Sequence, residues 1–228
     1  LMLAGELVLM VLIVYLSIKH RKYPVILLSV GQTGLLLWSE TVQPVESPYH
    51  MTVDCLAMLM CIIVAFVGGL ICIYAVGYMK GYHKHHTEYQ DRSEFFFSML
   101  FLFLAAMFGL VLSANLVWMY FFWEVTSVIS FLLIGYTRTE EAVNNSFRAL
   151  WMNLLGGLGF AIGIAVAAGT LGSVQLVDVV AAGAVIPVAM LAFAGLTKSA
   201  QLPFSSWLLG AMVAPTPSSA LLHSATMV

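Results

Sequence analysis

Between residues 2 and 203 the sequence breaks into seven long apolar runs separated by short polar connections. Few folds accommodate such a chain. A run of about 20 apolar residues, rising roughly 1.5 Å per residue as a helix, matches the hydrocarbon thickness of a bilayer. The runs cover residues 2–17, 24–38, 53–79, 95–112, 115–136, 147–171 and 184–203, and an eighth begins near Pro217. The sequence therefore predicts an all-α, polytopic membrane helix bundle. Composition agrees, with 61% hydrophobic and 9% charged residues, against about 25% charged in soluble domains.

The charges are sorted. The first connection carries Lys19, Arg21 and Lys22, and the third carries Lys80, Lys84 and Arg92. The fifth carries Arg138, with Arg148 at the start of the next run. The second, fourth and sixth, which include Glu40, Glu46 and Asp178, hold no Lys or Arg. By the positive-inside rule the odd connections are cytoplasmic and the N-terminus lies outside. The expected location is a plasma (inner) membrane. The basic residues form no continuous patch and lie beside Glu88, Asp91, Glu140 and Glu141, which argues against a nucleic-acid partner. Cys55, Cys61 and Cys72 lack CxxC spacing and read as buried small side chains.

One basic residue escapes this sorting. Lys198 lies inside the run 184–203, where a charged side chain costs at least about 2.5–3.5 kcal/mol and marks a functional site. Glu124, in the run 115–136, has the same character with opposite sign, and sits about nine residues into its helix, or roughly 13 Å, close to the midplane. The alternatives are a neutral glutamate in a helix contact and a lysine that snorkels to the nearer interface. Lys198 stands in Thr197-Lys198-Ser199-Ala200-Gln201-Leu202-Pro203, and Pro203 cannot donate to a helix ladder and crowds the carbonyl of Ser199. A discontinuous seventh helix is expected, with a second half over about 204–212. Broken helices of this kind border ion pathways.

His223 follows in Ala220-Leu221-Leu222-His223-Ser224-Ala225-Thr226, and an imidazole both gives and takes a proton near neutral pH. Alone it also fits a helix-packing role. Gly156, Gly157, Gly159 and Gly163 give the sixth run a smooth face for a close helix neighbour. His83-Lys84-His85-His86 reads as a solvated loop, since Lys84 repels a metal and no fourth ligand has defined spacing. Asp54 and Glu6 lie near expected interfaces and receive no role. No Walker loop, catalytic triad or CxxCH is present, so no cofactor and no metal are expected. The sequence starts at Leu1 and stops at Met227-Val228 in an apolar stretch, as expected of a piece of a longer chain or its ordered portion.

Several of these stretches resemble the antiporter-like subunits of respiratory complex I and its relatives: Trp123-Glu124, Leu132-Leu133-Ile134-Gly135-Tyr136, Thr197 to Pro203, Ala214-Pro215-Thr216-Pro217 and Ser219 to Val228. Val53-Asp54 followed by Tyr74-Ala75-Val76-Gly77-Tyr78-Met79 is similar too. Within that group the likeness is to the NuoL/MrpA type, including the large membrane subunits of energy-converting hydrogenases and formate hydrogenlyases. The resemblance implies a fold of inverted five-helix repeats. Residues 1–51 would be peripheral helices, and 52–228 the first antiporter-like half up to the start of its last helix. It implies roles for Glu124 as sensor of the neighbouring subunit, Lys198 as the broken-helix proton carrier, and His223 as the relay onward. Many such members carry an aspartate on the sixth helix where this chain has Gly157, which argues for the hydrogenase or Mrp branches. The implied function is proton translocation in a redox-driven complex, with a peripheral hydrogenase or quinone-reductase arm, other membrane subunits and the lipid bilayer as partners. The alternatives are an architectural membrane anchor and a subunit of an Mrp-type Na+/H+ antiporter, so Na+ stands beside H+ as a possible cargo.

Overall fold

The computed structural model describes residues 2–45 and 49–225, and the side chains of all of these but 224 and 225. Glu46 and the last three residues, 226–228, lie outside the described part. Helices α1 (Met2–Lys19), α2 (Tyr23–Val42), α3 (Cys55–His85), α4 (Ser93–Leu112), α5 (Leu116–Ile134) and α6 (Glu140–Leu171) are each long and apolar enough to cross a membrane. They are followed by α7 (Leu176–Ala181), α8 (Val185–Lys198), α9 (Ser206–Gly210) and α10 (Thr216–Ala220). A 3-10 turn, Ala211–Val213, follows α9, and a π-helical turn, Leu221–Ala225, follows α10. The chain is a multi-pass membrane protein of all-α class.

Local chemistry sets the starts of α3, α5 and α6. Asp54 accepts from Ala57 N at 2.6 Å, Asn115 from Val117 N at 2.7 Å and Thr139 from Ala142 N at 3.2 Å, each relieving an orphan N–H of a first turn. Thr139 is followed by Glu140 and Glu141, whose charges suit the positive end of the helix. This is why α6 begins at Glu140, a full two turns before the apolar run expected from 147. Helix α3 likewise continues through His83 and Lys84 to His85, so these residues form a helical last turn, and the loop expected there shrinks to the residues after it. His83 Nε2 reaches the Tyr136 hydroxyl at 3.1 Å and Asp91 at 3.3 Å, which ties this turn to the neighbouring connections. The second helix runs four residues beyond the expected 38, and the short α7 has no counterpart among the apolar runs.

The connections meet in two groups. At the end where α1 begins, three extended segments lace together: Thr52 N donates to Leu112 O, Ala114 N to His50 O, Leu116 N to Val174 O and Leu176 N to Ala114 O. Gln175 Nε2 adds a bond to Tyr49 O at 2.8 Å, and His50 stacks on Trp118. These are the second, fourth and sixth connections, which lack Lys and Arg. At the opposite end Arg92 donates to Tyr136 O and lies over the Tyr136 ring, and Lys22 donates to Asn144 at 3.0 Å. The alternation expected from charge is thus present in the geometry as two distinct ends.

Helix α6 runs through the middle, against α2, α5 and α8. Lipid is as apolar as leucine, so close van der Waals packing holds such helices together. The glycine face supplies it for α8. A Cβ at Gly156 would collide with Thr197 Oγ1, and one at Gly159 would lie 2.7 Å from Phe193 Cδ1. The expectation of a smooth face for a partner helix is met, and the partner is the helix that carries Lys198. Helix α3 instead turns Leu59, Ile62, Phe66 and Ile73 outward, exposed surface suited to lipid or to another membrane protein.

Candidate functional site

The break after Lys198 is a helix stop built from backbone alone. Gln201 N donates to Leu196 O at 3.0 Å and Ala200 N to Thr197 O at 3.2 Å, the paired closure of a Schellman motif. Ala200 takes the left-handed position, φ 54°, that glycine usually fills. Pro203 lies past the stop, so the discontinuity expected from it is found, and its cause sits three residues earlier. Trp207, fully buried, donates from Nε1 to Thr197 O at 2.9 Å and anchors α9 under the end of α8. Lys198 is therefore the last residue of a helix pressed against the glycine face of α6, and it is buried.

The lysine points at α5. Its Nζ donates to Ser127 Oγ at 2.8 Å and to Trp123 O at 3.4 Å, and lies 5.0 Å from the centroid of the Trp123 ring. This pocket solvates a cation with one hydroxyl, one carbonyl and one aromatic face. Snorkelling to the surface is not what this side chain does. Glu124 is 1% exposed, one turn of α5 from Ser127 and within electrostatic reach of Lys198. Among the described residues the ion pairs within 4.0 Å are His83–Asp91 and His86–Glu88, so Lys198 is held beside Glu124 without direct contact.

Glu124 faces two further helices, α6 and α2. A Cβ at Gly157 of α6 would lie 2.5 Å from Glu124 Oε1 and 2.8 Å from Gln32 Oε1. The missing side chain is what admits the carboxyl and the α2 amide. Oε1 of each is buried and without a hydrogen-bond partner, although the Gln32 side chain also acts on the Glu124 carboxyl as a donor. A proton on Glu124 would supply the donor this pair of acceptors lacks. Tyr120, one turn earlier and fully buried, leaves its hydroxyl without a partner as well, and feels Glu124 and Glu6 electrostatically.

His223 stands apart. It is half-buried on the π-helical turn Leu221–Ala225, its Nε2 has no partner, and its neighbours Leu221 and Leu222 belong to the core cluster of α3 and α4. Among the described residues no hydrogen bond or ion pair joins it to Lys198 or Glu124. The structure brings together Glu124 and Lys198, and adds residues that sequence reasoning passed over: Gln32, Tyr120, Ser127 and Glu6. Glu6 is 4% exposed, so the expectation that water reaches it at an interface is corrected; Asp54 is the cap of α3. The signal for Glu6 was the one used for Glu124, an acid within an apolar run. Gln32, Tyr120 and Ser127 are neutral and carried no such signal. Groups of three or more His, Cys, Asp or Glu side chains able to hold a metal ion do not occur among the described residues.

A multi-pass helix bundle with a buried acid and base at a helix stop defines the class. The chain belongs to the family described as NADH:quinone oxidoreductase/Mrp antiporter, TM, which matches residues 113–228, just over half of it. Residues 38–92 also match the family described as NADH-Ubiquinone oxidoreductase (complex I), chain 5 N-terminus. Over 189 residues the chain is 39% identical to the probable A/B subunit of a K(+)/H(+) antiporter of Rhizobium meliloti (strain 1021), covering 79% of this chain and 18% of that protein. It is 34% identical to the A1 subunit of a Na(+)/H(+) antiporter of Staphylococcus haemolyticus (strain JCSC1435), covering 79% and 22%. It thus spans about a fifth of these relatives. Among solved structures, a chain of the Mrp complex from Dietzia sp. DQ12-45-1b superposes with a TM-score of 0.65 at 29% identity, over 100% of this chain and 26% of that one. A chain of the archaeal membrane-bound sulfane sulfur reductase superposes at 0.67 over 99% of this chain and 50% of that one; at 16% identity it shares the fold alone.

Proposed function

We propose that the chain is part of an ion-translocating, antiporter-like subunit in which Glu124 and Lys198 exchange protons as the lysine moves between Ser127 and the glutamate. The observation that carries this reading is the position of Nζ, hydrogen-bonded to Ser127 one turn from a buried carboxyl whose Oε1 has no donor. The energetics suit a switch. At an effective dielectric near 20, unit charges couple by about 4 kcal/mol at roughly 4 Å and about 2.4 kcal/mol at roughly 7 Å. A step of that size changes a proton equilibrium by roughly tenfold or more. His223 is proposed as the onward relay, on the strength of its unpartnered Nε2.

Residues 52–228 form the first antiporter-like half in this reading, and the helices of 1–51 add Gln32 to its site. The end bearing Lys19, Arg21, Lys22, Arg92 and Arg138 faces the cytoplasm, with the N-terminus outside, as the positive-inside rule supports. The named relatives are cation/proton antiporter subunits, which favours exchange of H+ against Na+ or K+ within a complex of membrane subunits. The second reading, redox-driven proton pumping beside a peripheral hydrogenase or quinone-reductase arm, draws on the complex I description that matches residues 38–92.

The test is transport by the assembled complex in proteoliposomes. Lys198→Ala and Glu124→Gln are expected to abolish proton movement while the complex still assembles. Transport at the wild-type rate in both variants would overturn the proton-path reading, and loss of assembly alone would favour an architectural anchor. Acidification driven by a Na+ or K+ gradient, as against an electron donor, separates the two couplings.

A further inference from the structure

Helix α1 turns three residues inward, Glu6, Ile13 and Ser17, and two of them are ordinary packing positions. Glu6 is not. Its carboxyl is buried from water, 4% exposed, and Oε1 has no hydrogen-bond partner. Such groups in a membrane bundle are costly to keep, and structural glutamates are satisfied by donors.

Its place relative to Glu124 follows from the packing of α1 on α5. Both helices start at the same end, since Met2 shares one cleft with Asn115, Val117 and Trp118. A Cβ at Gly5 would lie 2.5 Å from Phe121 Cε2, which sets Gly5 against Phe121. Glu6 is the next residue on α1, turned toward the interior, and Glu124 lies one turn beyond Phe121. The two carboxyls act on each other electrostatically, and Tyr120 senses both. Among the described residues Glu124 of α5 acts on Glu6 and Tyr120 feels both, Lys198 of α8 acts on Glu124, and Glu40 and His50 line the cleft at the α1 end.

A way out exists on the same side. A cleft of about 460 Å³ opens at the end where α1 begins, lined by Met2, Ser39, Gln43, Asn115, Val117 and Ala168 among others. From its floor Met2 leads to Glu6 in about one turn of α1. Ile164, which lines the cleft, packs in one buried cluster with Leu36 and Tyr120.

We propose that Glu6 is the second proton-exchanging carboxyl of this site, passing a proton between Glu124 and the cleft at the α1 end. In the step the O–H bond of one carboxyl breaks as an O–H bond forms on the other, so the pair keeps one proton and one negative charge. The inference rests on Glu124 being the proton-carrying glutamate.

The test is again the assembled complex in proteoliposomes, with Glu6→Gln and Glu6→Asp. Glu6→Gln keeps the shape of the side chain but cannot titrate, and is expected to slow translocation about tenfold or more and to shift the pH optimum. Glu6→Asp is expected to restore most of the rate. Wild-type rate and pH profile in Glu6→Gln, with Glu124→Gln inactive, would overturn this inference alone; an active Glu124→Gln would overturn the reading beneath it. If Glu6→Gln fails to assemble, infrared difference spectra of the wild-type complex decide. Two buried carboxyl C=O bands that change together with pH support the pair, and a single independent band sinks it.

Discussion

Two polar clusters in this bundle have opposite bookkeeping. At the basic end, Asp91 accepts from Ser93 Oγ and N at 2.6 and 2.9 Å and meets His83 at 3.3 Å, while Arg92 is bonded to Tyr136 O and stacked on its ring. There the carboxylate and the guanidinium find partners, and His83 Nδ1 is the buried atom left without one. Around Glu124 the shortage is wider: Glu6, Gln32 and Glu124 each keep an unpartnered oxygen, and so does Tyr120. The first cluster has one arrangement and fixes connections. The second is short of protons, and adding or moving one changes which bonds it can make. In the proposed mechanism the first cluster is scaffolding and the second, with more unpartnered oxygens, is the place that changes state.

The comparison can be broken at its centre. Gly157→Ala places a methyl where Glu124 Oε1 and Gln32 Oε1 now sit, at 2.5 and 2.8 Å. Both are ends of flexible side chains, so the fold should survive with a small change in melting temperature. The carboxyl must move, and misplacement of about 1 Å at a reacting group costs up to roughly 10²-fold. Transport is expected to fall at least about tenfold; an unchanged rate would show that the position of the carboxyl is unimportant. Ser127→Ala is next. It removes the hydroxyl nearest Lys198 Nζ and should lower stability by about 1–3 kcal/mol, the cost of a buried donor left short. It should also shift the pH dependence of transport, which a purely structural serine would leave in place.

The smallest effect belongs to the basic end. The Ser93 hydroxyl, then its N–H, holds the Asp91 carboxyl below its usual value of 3.8. A carboxylate whose folded pKa is depressed contributes stability above the unfolded value, and loses it as pH falls through the folded one. Asp91→Asn should therefore melt slightly lower than wild type at neutral pH, with the gap closing below about pH 3.8. Its transport rate should be unchanged. A transport defect there would erase the distinction between the two clusters.

How far the sequence revealed this depended on what each residue costs. Spans were legible because about 20 apolar residues in a row have one economical structure. Their ends were less so, since Glu140 and His85 are polar yet helical, and hydropathy alone discards them; the Thr139 cap was the better signal. Glu124 and Lys198 announced themselves as charges in hydrocarbon. Their contact did not, because Lys198 meets Ser127 across 71 positions of chain. Neutral groups such as Gln32 and Tyr120 look ordinary until geometry places them over a glycine or beside an acid.

The lacing of the second, fourth and sixth connections has a mechanical meaning. A sheaf of rods laced by backbone bonds at one end yields first at the other, which here is tied through side chains, Arg92 to Tyr136 O and Lys22 to Asn144. Any tilt between α5, α6 and their neighbours pivots about the cross-linked segments near His50, Ala114 and Val174, and grows with distance along the rods. On such a pivot the cleft beside the lacing would keep its width, while the stop at Ala200, a helix length of α8 away, would shift more. In the proposed mechanism, movement of the lysine would be levered from a fulcrum beside the cleft.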